Sequence, residues 1–333
     1  MITSLQGSIA VVTVFLLVYL LSLCCTHPKY AKPWRMMDLE EREMTFISYD
    51  RNFPPEGDTP FPMEFLPYIW MYNINDDFYY TDSKYASDEV VFATYASPST
   101  FDKSRAFIRE LRHKSSNKII IYDLGLNFRE VFQMQQVSNL EIRKFAFGFF
   151  PEYLKKLEEY RFRPIILAEL FHEFEAFWLL DPSVRFASHF SKAMDEFYEA
   201  VRYREIEPFV MRLPTGHSIY EATDSMMTKY LPIKYDRFKS TEMMKASAVF
   251  VRQNEFARQV VKWNVLCALT EDCMCPHDAI LACRIAGDRN VSAGCHSYDE
   301  SALNIILTSL FERDRVYTNI SRSNRLFTKL FKA

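Results

Sequence analysis

Glycine is scarce in this chain, and the few glycines present are not arranged to cradle a phosphate group. Only seven glycines occur among 333 residues. None falls in a G-x-G-x-x-G or G-x-x-x-x-G-K-[ST] arrangement, in which glycines let the backbone approach a diphosphate. The sequence therefore excludes the phosphate sites of dinucleotide-binding and P-loop enzymes, and any nucleotide must be held in another way.

Other common catalytic patterns are missing as well, and so is an excess of charge of one sign. The chain has no H-E-x-x-H, no G-x-S-x-G and no C-G-x-C-W segment. Its 40 basic and 43 acidic residues give a formal net charge of -3, so no basic surface attracts the whole molecule to DNA or RNA. We expect no nucleic-acid partner, and carboxylate chemistry is what remains.

Apolar residues are plentiful enough for one large core or two modest ones. Hydrophobic residues make up 49% of the chain and charged residues 25%, which excludes disorder for most of its length. The 29 Phe and 19 Tyr residues suit a thick packed domain.

The N-terminus carries a membrane signal. The run from Ile9 to Cys25 is uncharged and almost wholly apolar, close to the roughly 20 residues that cross a hydrocarbon core. It predicts an N-terminal transmembrane helix, a signal anchor over residues 1–26. The alternative is a cleaved signal peptide, because the run is short and Ser22-Leu23-Cys24 offers small residues to a peptidase.

Two sets of features make opposite predictions about the side of the membrane on which the domain lies. Lys29, Lys32 and Arg35 follow the apolar run, and the positive-inside rule would keep the chain cytosolic. Glycosylation sequons at Asn290 and Asn319 can be used only in the lumen. Together with the cysteines, they lead us to expect a single-pass protein of the Golgi or ER membrane with a lumenal domain. A cytosol-facing domain is the alternative.

Cysteines are absent from a long stretch and then crowded. None lies between Cys25 and Cys267, after which five occur within 29 residues: Cys267, Cys273, Cys275, Cys283 and Cys295. We expect disulfides, since the chain lacks the paired C-x-x-C spacing of most zinc sites, although a zinc site with His277 and His296 is an alternative. Five is odd, so one thiol stays free or pairs between chains.

The rest of the chain predicts an α/β domain between a stem and a basic tail. Six prolines among the charged residues of 27–62 indicate a stem, which we place at 27–84; the domain follows at 85–320, and 321–333 is a basic tail. Unalternating apolar runs predict buried, mostly parallel strands. The predicted strands are Glu89–Tyr95, Lys118–Leu124, Phe145–Phe149, Ala176–Leu180, Ile206–Arg212 and Ser247–Arg252, and the predicted helices are Ser99–His113, Glu152–Tyr160, Arg163–Phe174, Phe190–Arg202, Glu255–Leu269 and Tyr298–Phe311.

Asp181 is the acid whose position is most informative. It follows a buried strand, and in open α/β sheets the ligand crevice lies outside the carboxyl ends of strands. The alternative is a turn or cap aspartate before Pro182. Further candidates at predicted element ends are the acids Asp123, Asp224, Asp299 and Glu300 and the bases His217 and His296.

Five segments carry a resemblance to a known family: "YDLGL" at 122–126, "RPIILAELF" at 163–171, "FWLLDPSVRF" at 177–186, "TGHSIYEATDSMMTKYLP" at 215–232 and "CHSYDESALNIIL" at 295–307. In this order they resemble a nematode-expanded family of single-pass membrane proteins, domain of unknown function 1647. The pattern is in turn similar to GT-A type glycosyltransferases, which are Golgi enzymes with an N-terminal anchor and a stem. The resemblance implies a GT-A-like mixed sheet flanked by helices.

The resemblance also implies an activity and a donor site. GT-A enzymes transfer a sugar from a nucleotide-sugar to an acceptor, and a D-x-D segment holds a divalent cation against the donor diphosphate. Asp181 takes the first Asp position, which implies Mn2+ or Mg2+ there, but Ser183 stands at the second and is a weaker, neutral ligand. Arg185 is either a direct diphosphate contact or a solvated surface residue. Asp123 matches a donor-side strand end.

The acceptor side is implied by the segment from Tyr298 to Asn304, which resembles the D-Q-S-A-L-N stretch of several GT-A families. Glu300 replaces the usual Gln, so it can accept but not donate hydrogen bonds when ionised. Asp299 is either a catalytic group or a helix cap. The resemblance therefore predicts a glycosyltransferase acting on a glycan or glycoprotein, with Asp299 and Glu300 catalytic. The alternative is a catalytically silent lumenal binding module, which Ser183 favours.

Overall fold

The computed structural model describes residues 59–75, 90–203, 208–231, 235–280, 295–310 and 326–328. The predicted N-terminal anchor, both sequons (Asn290 and Asn319) and Cys283 lie outside these ranges. Within the described ranges, no helix has the length and apolarity that a membrane crossing requires.

The core of the fold is a six-stranded mixed sheet in the order β3-β2-β1-β4-β7-β6. The four strands β1 to β4 pair in parallel, and β7 runs antiparallel to β4 and β6. Two short strands, β5 and β8, pair separately and antiparallel. The strands are β1 (Val91–Ala96), β2 (Ile119–Asp123), β3 (Leu140–Lys144), β4 (Ala176–Leu180), β5 (Arg185–Phe186), β6 (Phe209–Ser218), β7 (Glu242–Arg252) and β8 (Phe327–Thr328).

Helices flank this sheet. They are α1 (Leu66–Met71), α2 (Phe101–Lys114), α3 (Phe128–Met134), α4 (Phe162–Glu173), α5 (Phe190–Arg202), α6 (Tyr235–Ser240), α7 (Glu255–Leu269), α8 (Glu271–Met274) and α9 (Asp299–Leu310). The predicted class, an α/β fold with a mostly parallel sheet flanked by helices, is confirmed.

The buried strands form for the reason that the sequence suggests. Every residue of β2 and of β4 is buried, as unalternating apolar strands covered on both faces must be. On one face, the ring of Trp178 lies 5.2 Å from those of Phe197 in α5 and Phe250 in β7. This packing fixes β4, and with it the position of Asp181.

The segment after β3 differs from its prediction. The predicted strand Phe145–Phe149 and helix Glu152–Tyr160 are wrong, because the chain forms short 3-10 turns there. The Phe145 ring packs 4.6 Å from Phe147 and 5.6 Å from Phe150, while Phe149 is 66% exposed. The alternation of aromatic residues thus reflects a local ring cluster rather than a strand.

Parts of the predicted stem and tail pack onto the domain. Residues 59–75, predicted as stem, contain α1, and Arg258 in α7 donates to the backbone carbonyls of Ile74 and Asn75 at 3.0 and 2.7 Å. Phe327, in the predicted tail, is buried with its ring 5.3 Å from Trp178. The prolines and charged residues around these apolar residues led to the prediction of a stem and a tail, so packing onto the domain was not expected from the sequence.

Candidate functional site

The strand order reverses between β1 and β4. Strands β2 and β3 extend from one side of β1, and β4 lies on its other side. A crevice outside the carboxyl ends of two such strands is the usual ligand site of open α/β sheets. Tyr95 lies near the end of β1 and Asp181 directly follows β4, and the Tyr95 hydroxyl donates to Oδ2 of Asp181. Asp181 therefore lies at the reversal point.

The Asp181 carboxylate is held by three donors and remains partly accessible. Oδ1 accepts from the Ser183 backbone N–H at 2.8 Å and from the Ser183 hydroxyl, while Oδ2 accepts from Tyr95. The side chain is 18% exposed. Asp181 is thus both the turn residue before Pro182 and a carboxylate at the rim of the sheet, so the two sequence interpretations are compatible.

Arg163 is the central residue of the site, although the sequence pattern indicates only that a helix starts there. Its Nη2 lies 3.7 Å from Oδ2 of Asp181, and its Nη1 donates to Oδ2 of Asp299 at 2.8 Å. Nη2 also donates to the Ala246 carbonyl in β7 at 2.9 Å. The Arg163 side chain is only 5% exposed, so its charge is enclosed by these partners.

Two tyrosine rings complete the surroundings of Arg163. The guanidinium carbon lies 5.5 Å from the Tyr95 ring centre and 5.0 Å from that of Tyr160, within cation–π range. Tyr160 has a left-handed backbone, with φ of 56°. Such strain in a non-glycine residue is common at functional sites and costs of order 1–3 kcal/mol.

Asp299 and Glu300 open helix α9 beside Arg163. The Asp299 side chain is 2% exposed and pairs with Arg163, a contact that a helix cap alone would not make. Glu300 is partly buried, and its Oε1 accepts from the Ala246 N–H at 3.1 Å. The structure therefore pairs Asp181 and Asp299 with one arginine and places Glu300 next to them, on the backbone of Ala246.

The three carboxyl groups differ in acidity. Burial opposes ionisation of Asp181, but Arg163, Ser183 and Tyr95 outweigh it and hold its pKa below the ordinary value. Burial raises the pKa of Asp299 to about 6 although Arg163 opposes the shift. Burial and the neighbouring Asp299 raise the pKa of Glu300 to about 7 against the opposing charges of Arg163 and Lys245. Glu300 is the carboxylate suited to proton transfer near neutral pH.

The other acids among the candidates serve turns. Asp123 Oδ1 accepts from the backbone N–H groups of Gly125 and Leu126 at 2.8 and 2.6 Å, which fixes the turn after β2. Asp224 accepts from the Met226 N–H at 2.8 Å and caps a short 3-10 helix. Neither carboxylate makes a contact with the Arg163 cluster in the described part of the chain.

The candidate histidines and Arg185 also have structural contacts. His296 is fully buried, its Nε2 lies 2.9 Å from the Met274 carbonyl, and its Nδ1 accepts from the Asp224 N–H. His217 lies within β6, and its backbone N–H donates to the Thr215 hydroxyl at 3.1 Å. Arg185 Nη1 donates to the carbonyls of Pro182 and Val184 at 3.0 and 2.8 Å, which holds its guanidinium on the turn after Asp181.

The residues around Asp181 do not fit a divalent metal. Both carboxylate oxygens already accept hydrogen bonds, and Arg163 provides a positive charge 3.7 Å away. Ser183 provides only a hydroxyl, which donates to Asp181. In the part of the chain that the structure describes, no three His, Cys, Asp or Glu side chains gather into a metal-binding group.

The cysteines form disulfides, as predicted. Cys267 pairs with Cys273, with Cα atoms 5.1 Å apart, and Cys295 is disulfide-bonded as well. Cys275 is a free, half-buried thiol. Of the residues in the zinc alternative, His277 is 89% exposed and pairs with Asp278, and His296 binds backbone groups.

Comparison with known proteins identifies a family region. Residues 70–168 match the family described as protein of unknown function (DUF1647), the family that the sequence resembles. This range contains Asp123 and Arg163. No curated protein matches the chain. A solved structure of galactosyltransferase LgtC, in complex with donor and acceptor sugar analogs, is similar with 11% identity and a TM-score of 0.35, covering 65% of this chain and 69% of that one.

Proposed function

We propose that this protein is a glycosyltransferase that moves a sugar from a nucleotide-sugar donor to a glycan or glycoprotein acceptor. One observation carries the proposal: Asp181 and Asp299 pair with Arg163 at the strand-order reversal, and Glu300, next to Asp299, accepts from the N–H of Ala246, whose carbonyl binds Arg163. The sequence resemblance to GT-A enzymes assigns Asp181 to the donor side and the Asp299–Glu300 pair to the acceptor side. The geometry supports this division, since the two sides meet at one arginine.

On the donor side, Asp181 orients the nucleotide-sugar and Arg185 meets its diphosphate. A carboxylate with a lowered pKa stays ionised and accepts hydrogen bonds from donor hydroxyl groups. Arg185 is fixed by its Nη1 on the same turn, and a guanidinium suits the oxygen atoms of a diphosphate. Asp123, which caps its own turn, has no role in this proposal.

On the acceptor side, Glu300 is the general base. The acceptor hydroxyl gives its proton to the Glu300 carboxylate, and its oxygen forms a bond to the anomeric carbon of the donor sugar. The bond from that carbon to the diphosphate oxygen breaks, and its electron pair leaves with the nucleoside diphosphate. Asp299 contacts Arg163 rather than substrate, so it is a positioning residue.

A catalytically silent binding module is the second candidate. It is favoured by Ser183, which replaces a carboxylate ligand and binds Asp181 instead.

Measuring turnover separates the two candidate functions. Full-length protein in detergent is incubated with a panel of UDP- and GDP-sugars and glycan acceptors, and release of nucleoside diphosphate is measured. If the protein is an enzyme, we expect the release of nucleoside diphosphate to depend on the acceptor. Glu300→Gln should abolish this release and leave binding of the nucleotide-sugar intact. Glycan binding without any release supports the silent module.

The proposed location is the lumen of the Golgi or ER, with the apolar run at residues 9–25 as the membrane anchor. The sequons at Asn290 and Asn319 and the disulfides support it, because both modifications occur in the secretory pathway. Endoglycosidase treatment of protein expressed in animal cells tests the location. We expect a faster-migrating band, and a double Asn290→Gln, Asn319→Gln variant that does not shift is the control. An unshifted wild-type band contradicts lumenal glycosylation.

A further inference from the structure

We infer that the donor site works without a divalent cation, because Arg163 supplies from within the chain the positive charge that a metal would bring to Asp181. This inference rests on the proposed function and deepens it. It departs from the Mn2+ or Mg2+ that the sequence resemblance implies, and it follows from four features of the site.

The first feature is that most lone pairs of the Asp181 carboxylate are already used. An ionised carboxylate offers about four lone-pair positions. Three of them accept hydrogen bonds, from the Ser183 N–H, the Ser183 hydroxyl and the Tyr95 hydroxyl. Hard cations need several oxygen ligands with free lone pairs, so a metal here has one position on Asp181 and gains a second only by displacing a donor of the protein.

The second feature is the fixed charge of Arg163. Its guanidinium is held by Asp299 and by the Ala246 carbonyl, and the Tyr95 and Tyr160 rings lie against it. Arginine does not deprotonate in proteins, so this charge cannot be removed to make room for a cation. A dication on Asp181 Oδ2 would lie close to a permanent positive charge in a poorly solvated place, where repulsion is strong.

The third feature is the missing second carboxylate. Ser183 lies where a chelating Asp would stand, and its hydroxyl and N–H both donate to Asp181. An Asp at this position would lose the hydroxyl donor and place a second negative charge against Asp181. A cation held between this Asp and Oδ1 of Asp181, the oxygen that Ser183 contacts, relieves such repulsion and avoids Oδ2, beside which Arg163 lies. Ser183→Asp is therefore expected to create the metal site that the natural sequence lacks.

The fourth feature concerns the departing diphosphate, which still needs a positive partner. Arg185 lies on the same turn as Asp181 and is tied to it through the Pro182 and Val184 carbonyls. Arginine binds phosphate oxygens with two parallel hydrogen bonds. The site thus has one cation beneath Asp181 and one beside it, both contributed by the chain.

The test titrates tag-free, full-length protein with Mn2+ alone and follows free Mn2+ by electron paramagnetic resonance. Wild type and Asp181→Asn are expected to bind Mn2+ equally, since the site holds none. Ser183→Asp is expected to gain one site of at least 10-fold higher affinity than any in wild type. A Mn2+ site in wild type that Asp181→Asn removes would overturn the inference. The comparison of wild type with Asp181→Asn tests the inference even if Ser183→Asp does not fold.

A second arm measures nucleotide-sugar binding in EDTA and in Mn2+. The inference expects dissociation constants within about twofold of each other, and a loss of more than 10-fold in EDTA contradicts it. Failure of the proposed function has a different signature, namely no nucleotide-sugar binding under either condition. The Mn2+ titration still decides the metal question in that case.

Discussion

Arg163 and Asp299 form a buried ion pair at 2.8 Å across 136 residues of sequence. The pair joins the start of α4 to the start of α9 beneath the rim of the sheet. Removing one partner of such a pair leaves a buried charge without compensation, which is costly. The arrangement therefore couples the stability of the domain to the geometry of the site.

Arg163→Met is expected to lower the free energy of unfolding by about 3–5 kcal/mol, because Asp299 and Asp181 then lose their common cation. Urea unfolding measures the change. Arg202→Met is the matched control, since Arg202 is 49% exposed and pairs with Glu199 on its own helix; it should cost less than about 1 kcal/mol. Equal losses in the two variants would show that the Arg163 cluster contributes no special stability.

Glu300 makes stability depend on pH in a defined direction. Its folded-state pKa of about 7 exceeds the ordinary value of 4.5, so the folded state binds the proton more tightly than the unfolded state does. Its contribution is complete below about pH 4.5 and is lost as pH rises through about 7. Glu300→Gln removes this titration. The free energy of unfolding of the variant minus that of wild type should therefore rise by on the order of 1–3 kcal/mol from pH 5 to pH 8. Parallel pH profiles for the two proteins would contradict the shift.

The same group is expected to shape the pH dependence of turnover. A base must be ionised, so the rate should rise with pH through an apparent pKa near 7. Asp299→Asn removes the negative charge that raises the pKa of Glu300, while Arg163 and Lys245 remain to lower it. The acid limb of the rate profile should therefore move to lower pH. A limb that stays in place, or moves to higher pH, argues against Glu300 as the titrating base.

The Cys267–Cys273 disulfide closes a short loop between α7 and α8. By chain entropy, a loop of this size contributes about 2 kcal/mol. A double Cys267→Ala, Cys273→Ala variant should lose about that much stability in urea unfolding. Cys275→Ala serves as the control, since this thiol is free and half-buried, and its effect should be clearly smaller. A larger loss from Cys275 would point to a structural role for the free thiol instead.

Local sequence pattern was sufficient for much of the fold. The continuous apolar runs of β2 and β4 predicted buried strands, and Asp181 lies at a strand end as the pattern indicated. The turns around Phe147 were not predictable in this way, because an aromatic cluster and a strand produce the same alternation. The antiparallel direction of β7 depends on pairing with β4, which is distant in sequence, and the spacing of apolar residues within a strand does not specify that direction.

Arg163 was missed although a signal was present. It stands in a segment whose neighbours Phe162 and Pro164 are apolar, and a charge in a fully apolar helix start must find a buried partner. The sequence could have indicated that such a partner exists, but not that it is Asp299. Only the tertiary structure places residues 136 positions apart at hydrogen-bond distance.

The most direct test of the account is a calorimetric titration of UDP- and GDP-sugars into the full-length protein, with Asp181→Asn and Asp123→Asn beside it. Both variants replace an aspartate at the carboxyl end of a parallel strand, but of the two only Asp181 contacts the Arg163 cluster. We predict that one nucleotide-sugar binds wild type and Asp123→Asn with equal affinity and binds Asp181→Asn at least 10-fold more weakly. Equal binding to all three proteins, or no binding to wild type, would contradict it.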